Sequence, residues 1–298
     1  MSFRFPPALR PGATVAVIAP ASPFPTHELW PGLAWLRLRY RLVMRSSALE
    51  RTGYLAGTVE RRVRELAWAL GTPGIDAVLA ARGGFGTMHL LEHVDFAAAM
   101  RTPRWLIGFS DLTAAHADLS RVRVASIHGP NATGLGRASP AVRHALLQTL
   151  ECPGSTRPWV GLGVLVAGTA RGVVFGGNLA LLEAMAAAGR LAVPEGAVLL
   201  LEDVTERPYR IDRMLTALRL GGHLARISAV VLGEFAECSP GPDGVTAHEV
   251  LAAHFASLGV PVLFGAPFGH GLVNQPFVLG QEARVSGDGT VTFLANGL

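Results

Sequence analysis

Short apolar runs alternate with helical patterns through the first half of the chain, and this alternation restricts the possible folds more than any other feature. Residues 15–19, 77–80 and 105–107 are apolar runs of strand length, and helical spacing of apolar residues separates them. Parallel strands need such crossover helices. The pattern predicts an α/β fold with a doubly wound parallel sheet, flavodoxin- or Rossmann-like, over residues 1–152.

The second half has a different character. Residues 152–158 are rich in turn formers, so we expect a linker over 153–170. Residues 171–298 contain buried strands, helices and a tail in which short apolar and polar positions alternate, as small antiparallel strands do. This predicts a C-terminal mixed α/β domain with small β strands.

Composition excludes several classes of protein. Half of the 298 residues are apolar and the mean hydropathy is +0.35, which disfavours disorder. The net charge of +4 comes from dispersed arginines, and Arg61, Arg62 and Arg64 share one helix with acidic neighbours. We expect a solvated helix face there and no nucleic-acid partner.

The cellular setting follows from three further observations. Cys152 and Cys238 have no metal-binding spacing and suit a reducing compartment. No apolar run reaches the roughly 18 residues of a membrane span. Residues 13–19 loosely imitate a signal peptide, but they fit a first buried strand better. We therefore expect a reducing compartment, no secretion signal and no membrane partner.

Ser110 lies between the end of the apolar run at 105–107 and the start of a helical pattern. A serine on such a sharp turn exposes its hydroxyl, and neighbouring N–H groups can bind an oxyanion, as acyl transfer requires. On position alone a helix N-cap is the favoured interpretation, because capping serines far outnumber nucleophiles. The sequence is not the G-x-S-x-G elbow, because Leu112 replaces the second glycine.

Two more polar residues follow buried strands. Glu202 comes after an apolar run, and His270 lies in Gly269-His270-Gly271. Together with Ser110 they would supply a nucleophile, a base and an acid. Spacing alone does not separate Glu202 from Asp203, and each residue could also have a purely structural role.

The glycine-rich loop Arg82–Thr87 could bind phosphate or stabilise an oxyanion, but it lacks the lysine of a P-loop. His89–His93 matches H-x-x-E-H, a zinc-peptidase pattern. No further ligand cluster accompanies it, so we expect neither a metal nor another cofactor.

These motifs, taken in order, resemble the LD-carboxypeptidase family of serine peptidases almost from end to end. The segments that carry the resemblance are 17–22, 54–58, 82–86, 107–113, 127–130, 176–179, 201–203, 208–213 and 269–271.

The resemblance implies a two-domain serine-type LD-carboxypeptidase. Ser110 would be the nucleophile, with Glu202 as the acid and His270 as the base, and backbone N–H groups of Gly84 and Asp111 would form the oxyanion hole. Family members are cytoplasmic, usually homodimeric and metal-free. They cleave the amide between an L-configured centre and a terminal D-amino acid, converting the muropeptide tetrapeptide to a tripeptide in cell-wall recycling.

Two alternatives stay open. A branch of the family inactivates microcin C-type peptidyl-nucleotide antibiotics, for which Trp30 or Trp159 could supply a stacking surface. A non-catalytic binding protein could also keep the fold.

The resemblance leaves substrate binding unassigned. A carboxypeptidase must bind a carboxylate, and the residues near the motifs that could do so are Arg82, Asn178 and Arg210. Phe85 stands where many members have tyrosine, and residues 28–50 do not align clearly.

Overall fold

The computed structural model describes residues 2–295, which form two compact units. Unit 1 comprises the chain up to residue 153 together with residues 275–278, and unit 2 comprises residues 154–274 and the chain from residue 279 onward. No helix within residues 2–295 is both long and apolar enough to cross a membrane.

The helices and strands of the described chain follow one another in this order: β1 (Thr14–Ile18), α1 (Thr26–Leu36), β2 (Arg41–Met44), α2 (Val59–Gly71), β3 (Ala77–Ala80), α3 (Phe96–Ala99), β4 (Trp105–Gly108), α4 (Thr113–Arg121), β5 (Ser126–His128), α5 (Ala132–Leu135), α6 (Pro140–Glu151), β6 (Gly163–Val166), β7 (Ala170–Asn178), α7 (Leu179–Ala187), β8 (Ala197–Val204), α8 (Pro208–Leu220), β9 (Ile227–Ala236), α9 (Ala247–Phe255), β10 (Val262–Phe264), β11 (Phe277–Leu279), β12 (Glu282–Ser286) and β13 (Thr290–Phe293). Short 3₁₀ turns occur at Ser46–Leu49, Thr87–Leu90, Ser110–Leu112 and His223–Arg226.

The sheet of unit 1 has the strand order β2-β1-β3-β4-β5, with β11 added beside β5. The pairs among β1 to β5 are all parallel. This is the flavodoxin-like order, in which loops after the strands build the site at the sheet's carboxyl edge. The α/β fold predicted from the sequence is therefore confirmed.

Local sequence explains the elements of this unit. Strands β3 and β4 are buried along their whole length, as expected for central strands of a parallel sheet covered on both faces. Helix α2 begins at Thr58, whose side chain accepts a hydrogen bond from the backbone N–H of Arg61. Helix α6 begins with a Ser139 cap and Pro140 at its first position.

Unit 2 is built on a mixed sheet in the order β13-β12-β7-β8-β9-β10-β6. Strands β7 to β10 are parallel, whereas β12, β13 and β6 pair antiparallel. The segment expected to be a linker, 153–170, contains β6, which adds to the edge of this sheet beside β10.

Two further regions differ from, or refine, the sequence interpretation. The spacing of Leu90, Leu91 and Val94 predicts a helix after the glycine-rich loop, but only a 3₁₀ turn forms at Thr87–Leu90. The α-helix starts later because Asp95 caps α3 by accepting the backbone N–H of Ala98. The unaligned region 28–50 contains most of α1, all of β2 and a 3₁₀ turn.

Candidate active site

Ser110 lies on the turn between β4 and α4, at the carboxyl edge of the unit 1 sheet. Its φ is +64°, in the left-handed region that non-glycine residues rarely occupy. An N-cap residue has extended backbone instead, and no side-chain cap was found for the 3₁₀ turn or for α4. The structure therefore gives no support to the interpretation of Ser110 as a helix cap. Such strain costs on the order of 1–3 kcal/mol and is characteristic of functional turns.

Side chains behind this turn hold it in place. Asn131 accepts a hydrogen bond from the Phe109 N–H at 3.3 Å. His116 is fully buried, with Nε2 3.0 Å from the Gly108 carbonyl and Nδ1 2.8 Å from Ser126 Oγ. Burial lowers the pKa of His116 to about 4, so the neutral ring donates to Gly108 and accepts from Ser126. His116 thus supports the nucleophile turn as a structural residue.

The glycine-rich loop that follows β3 lies directly against Ser110. A Cβ added to Gly83 would lie 2.9 Å from Ser110 Cβ and 3.1 Å from its Oγ, so only glycine allows this approach. Gly84 has a φ of +101°, and a Cβ there would collide with Ser22 Oγ. Ser22 fixes the loop by donating its N–H to the Gly83 carbonyl (3.2 Å) and accepting the Phe85 N–H on Oγ (3.1 Å).

The far end of the loop is fixed by two buried charged residues. The Asp111 carboxylate accepts the Thr87 N–H at 2.7 Å, which ties the loop to the residue after the serine. Arg62 is fully buried and donates Nη1 to the carbonyls of Gly86 (2.6 Å) and Pro20 (2.7 Å). Burial raises the pKa of Asp111, although hydrogen bonds from Thr87 and Gly86 and the charge of Arg62 oppose this effect.

Helix α2 therefore differs from the sequence interpretation. Arg61 and Arg62 are buried, so the expected solvated face is wrong for both of them. Arg61 donates to the carbonyls of Ala19 and Ala56 and to Glu65 Oε2 at 2.9 Å, and Glu65 also accepts the Ala19 N–H. Buried arginines satisfy loop carbonyls here because those backbone groups have no helix or sheet partner.

The acid and base predicted from the sequence meet inside unit 2. Glu202, on β8, is fully buried, and its Oε2 lies 2.6 Å from His270 Nδ1. The His270 side chain is 18% exposed. Burial would lower the pKa of His270, but the hydrogen bond and charge of Glu202, with the charge of Asp203, outweigh it and raise the pKa. The pair fixes the imidazole tautomer, with its proton on Nδ1 and Nε2 able to accept one.

Asp203 faces other partners. Its carboxylate accepts hydrogen bonds from Asn178 Nδ2 (2.9 Å), the Ala180 N–H (2.9 Å) and its neighbour's backbone N–H. Burial, reinforced by the charge of Glu202, raises the pKa of Asp203 to about 6 against the opposing hydrogen bonds. The structure thus separates the two acids that spacing could not, because only Glu202 bonds the histidine.

The three substrate-binding candidates have different surroundings. Asn178 is buried, bonds Asp203 and accepts the Leu181 N–H at the start of α7, so the structure gives it a capping role. Arg210 is exposed, with Nη1 3.6 Å from Glu206 Oε2. Arg82 is exposed and donates Nη1 to the Pro23 carbonyl at 2.9 Å, beside a cavity of unit 1.

The H-x-x-E-H sequence does not form a zinc-binding helix. The 3₁₀ turn ends at Leu90, before His93, and His89 Nδ1 lies 3.2 Å from Arg62 Nη2. Within residues 2–295, no three His, Cys, Asp or Glu side chains are grouped as metal ligands would be.

Sequence reasoning missed Arg62, His116 and the carboxylate of Asp111 as parts of the site. Two signals were present in the sequence. Arg61, Arg62 and Arg64 lie close together on one helix, and His116 lies within the helical pattern that follows the serine.

Comparison with known proteins places this geometry in a family. The model described as the LD-carboxypeptidase N-terminal domain matches residues 15–129, and the one described as the C-terminal domain matches residues 171–285. The chain belongs to the LD-carboxypeptidase family. It is therefore a serine-type peptidase, a hydrolase that acts on peptide bonds.

Individual relatives agree with this assignment. The chain is 34% identical over 288 residues to the murein tetrapeptide carboxypeptidase of Pseudomonas aeruginosa, covering 92% of this chain and 93% of the relative. The crystal structure of muramoyltetrapeptide carboxypeptidase from Oxalobacter formigenes matches with a TM-score of 0.86 at 28% identity, covering 95% of this chain and 99% of the other.

A second group of structures shares the fold. The structure of MccF in complex with glutamyl sulfamoyl guanosine matches with a TM-score of 0.88 at 20% identity, covering 98% of each chain. At this identity the likeness concerns the LD-carboxypeptidase fold and not the substrate.

Proposed function

We propose that this LD-carboxypeptidase removes the terminal D-amino acid from a muropeptide tetrapeptide, leaving a tripeptide, in cell-wall recycling. One observation carries the proposal: the fully buried Glu202 holds the imidazole of His270 at 2.6 Å, an arrangement suited to a serine nucleophile. The similarity to murein and muramoyl tetrapeptide carboxypeptidases supports this substrate class.

In the proposed mechanism, Ser110 Oγ attacks the carbonyl before the terminal D-residue while His270 Nε2 accepts its proton. Glu202 stabilises the imidazolium that forms. The N–H groups of Gly84 and Asp111 bind the oxyanion, each contributing roughly 3–4 kcal/mol to the transition state. His270 then protonates the leaving amine, which leaves an ester on Ser110. In the second half of the reaction, His270 Nε2 accepts a proton from a water molecule that attacks this ester. The bond to Ser110 Oγ breaks, and Ser110 takes the proton back from His270.

The glycine-rich loop supports this assignment of the oxyanion donors. Gly83 touches Ser110, and Ser22 and Asp111 fix the loop on either side of Gly84. Preorganised donors stabilise charge without reorganising during the reaction, which is the main requirement for an oxyanion hole.

The test supplies the purified enzyme with a muropeptide tetrapeptide and, separately, with a processed microcin analogue, and identifies the products by mass. Loss of one D-Ala from the tetrapeptide is expected. Ser110→Ala should abolish turnover and leave the circular dichroism spectrum unchanged, and retained activity would contradict the proposed nucleophile. Cleavage of the nucleotide conjugate alone would favour the immunity-type peptidase, and inertness toward both would favour a binding protein.

The aromatic side chains bear on the immunity-type alternative. Trp159 is 7% exposed and packs against Phe268 and Phe293, so it does not offer a free face for a nucleobase. Trp30, on α1, is 49% exposed. Of the two tryptophans considered for stacking a nucleobase, only Trp30 has the exposure that the immunity-type alternative requires.

We also propose that the enzyme acts in the cytoplasm as a homodimer, on the basis of the family resemblance. Light scattering coupled to size-exclusion chromatography tests the dimer, and fractionation of the source cells tests the compartment. A single species with the 31.4 kDa mass of one chain would contradict the dimer.

A further inference from the structure

Unit 1 contains a cavity of about 510 Å³ whose walls carry two arginines and no carboxylate. Arg51 and Arg82 line it together with Ser22, Phe24 and Tyr54. The volume is within the range of small-molecule sites. A cavity with two cations and no anion in its walls has a positive potential and attracts an anionic group.

The two guanidinium groups are anchored through backbone carbonyls. Arg82 donates Nη1 to Pro23 at 2.9 Å, and Arg51 donates Nε to Gly53 at 3.2 Å. Neither makes an ion pair with an acidic side chain among residues 2–295. Each guanidinium has five N–H donors, so both keep donors for a ligand.

Other arginines at the surface show the contrast. Arg39 forms a bidentate pair with Glu151, with contacts of 2.7 and 2.6 Å, and Arg121 lies 3.2 Å from Asp118. Arg210, the other cation considered for substrate binding, is also close to an acid. Within the described chain, Arg51 and Arg82 lack such a carboxylate contact, and they differ from the other surface arginines in lining the same cavity of unit 1.

The cavity and the nucleophile turn both lie beside the glycine-rich loop. Arg82 immediately precedes Gly83, which lies against Ser110. Ser22 lines the cavity while its Oγ accepts the Phe85 N–H of the glycine-rich loop. A substrate whose scissile carbonyl reaches Ser110 would therefore extend a neighbouring group into the cavity.

We propose that Arg51 and Arg82 form a subsite for a carboxylate of the peptide substrate. The inference rests on the proposed function for the reaction, and it adds the group that the enzyme recognises. Guanidinium binds carboxylate by paired, charge-assisted hydrogen bonds, and the exposed Tyr54 ring adds an amphipathic surface beside them. The carboxylate can be that of the terminal D-residue or one on the acyl side of the scissile amide.

Titration calorimetry with the tripeptide product and kinetics with the tetrapeptide test the subsite. Arg51→Gln and Arg82→Gln should each weaken tripeptide binding or raise KM roughly 10-fold or more, with a smaller change in kcat. The matched control is Arg64→Gln, an exposed arginine on α2 outside the cavity, which should behave as the wild type.

Amidated peptides identify the recognised carboxylate. A tetrapeptide with a C-terminal amide and one with its other carboxylates amidated are compared in wild type and Arg82→Gln. The form that lacks the recognised group should bind both proteins equally weakly.

The outcomes separate the two proposals. Tetrapeptide cleavage with unaltered KM and binding in both arginine variants would overturn the subsite and leave the function intact. Charge-dependent tripeptide binding without cleavage would support the subsite and overturn the function. Equal binding of the unmodified tetrapeptide and of all its amidated forms by the wild type would overturn the subsite.

Discussion

Replacing Arg62 with Met tests whether a buried cation holds the glycine-rich loop. The guanidinium is fully buried, and its Nη1 donates to the carbonyls of Pro20 and Gly86 at 2.7 and 2.6 Å. Met fills similar space but donates nothing, so both carbonyls lose a charged donor. The loop that carries Gly84 would then depend on its contacts with Ser22 and Asp111.

The size of the effect follows from these two contacts. A hydrogen bond to a charged group contributes roughly 1.5–3 kcal/mol, so two contribute about 3–6 kcal/mol. Removing the cation also removes the cost of keeping it out of water, so the net loss should lie at the lower end of this range. We therefore expect Arg62→Met to reduce the free energy of unfolding by about 3 kcal/mol, equivalent to a fall of roughly 6–12 °C in Tm.

Urea and thermal unfolding, followed by circular dichroism, measure this change. Arg64→Met is the matched control, because Arg64 is exposed on the same helix and should change the unfolding free energy by less than about 0.5 kcal/mol. If Arg62→Met were as stable as Arg64→Met, the reasoning about the buried cation would be refuted. Activity measured well below the Tm should also fall, because the loop loses its anchor at Gly86.

Two further substitutions test the catalytic geometry. Glu202→Gln removes the negative charge that raises the His270 pKa, while burial still lowers this pKa. The acid limb of the kcat/KM profile should therefore move to lower pH, and kcat should fall about 10⁴-fold. An unmoved acid limb would show that Glu202 does not control the pKa of the base. Gly83→Ala places a methyl 2.9 Å from Ser110 Cβ and should lower kcat at least 10-fold in a folded enzyme. The control is Gly71→Ala, whose methyl meets nothing within 4 Å and should leave kcat unchanged. Equal kcat values in the two variants would argue against close contact between the loop and Ser110.

Much of the first unit could be predicted because its signals are local. Each buried parallel strand is a continuous apolar run, and the side chains that follow β4 and β8 stand at the carboxyl ends of those strands. Position therefore made Ser110 and the pair Glu202 and Asp203 candidates, and the family resemblance selected Ser110 as nucleophile and Glu202 as acid. The alternation of strands and helices also gave the doubly wound sheet, because parallel strands need crossovers.

The remaining features depend on contacts between distant parts of the chain. Charge suggested that Arg62 is solvated, yet its partners, the carbonyls of Pro20 and Gly86, lie 42 and 24 residues away. The residue types around a loop do not show that one of its carbonyls needs a hydrogen-bond donor from a distant side chain. Strand β6 was missed for a similar reason, since a four-residue edge strand is defined by its antiparallel pairing with β10.

The separation of Glu202 from Asp203 shows how alternation along a strand divides two chemically similar residues. Consecutive side chains on β8 point to opposite faces of the sheet. One face brings Glu202 to His270, and the other brings Asp203 to the start of α7. The family pattern selected the first acid, and the pleat of the strand gives the physical reason.

The left-handed backbone of Ser110 and the anchoring of the glycine-rich loop belong to one design. A serine at a φ of +64° is unfavourable by itself, so the surroundings must supply roughly 1–3 kcal/mol to keep it there. Asp111 contributes by joining the serine turn to Thr87, and Arg62 contributes by holding Gly86 one residue earlier. The same contacts fix the backbone on both sides of the oxyanion donors proposed for Gly84 and Asp111. These contacts thus offset the strain of the serine turn, and they also hold the nucleophile and the proposed donors in place. This dual role explains why charged side chains are buried next to a glycine-rich loop.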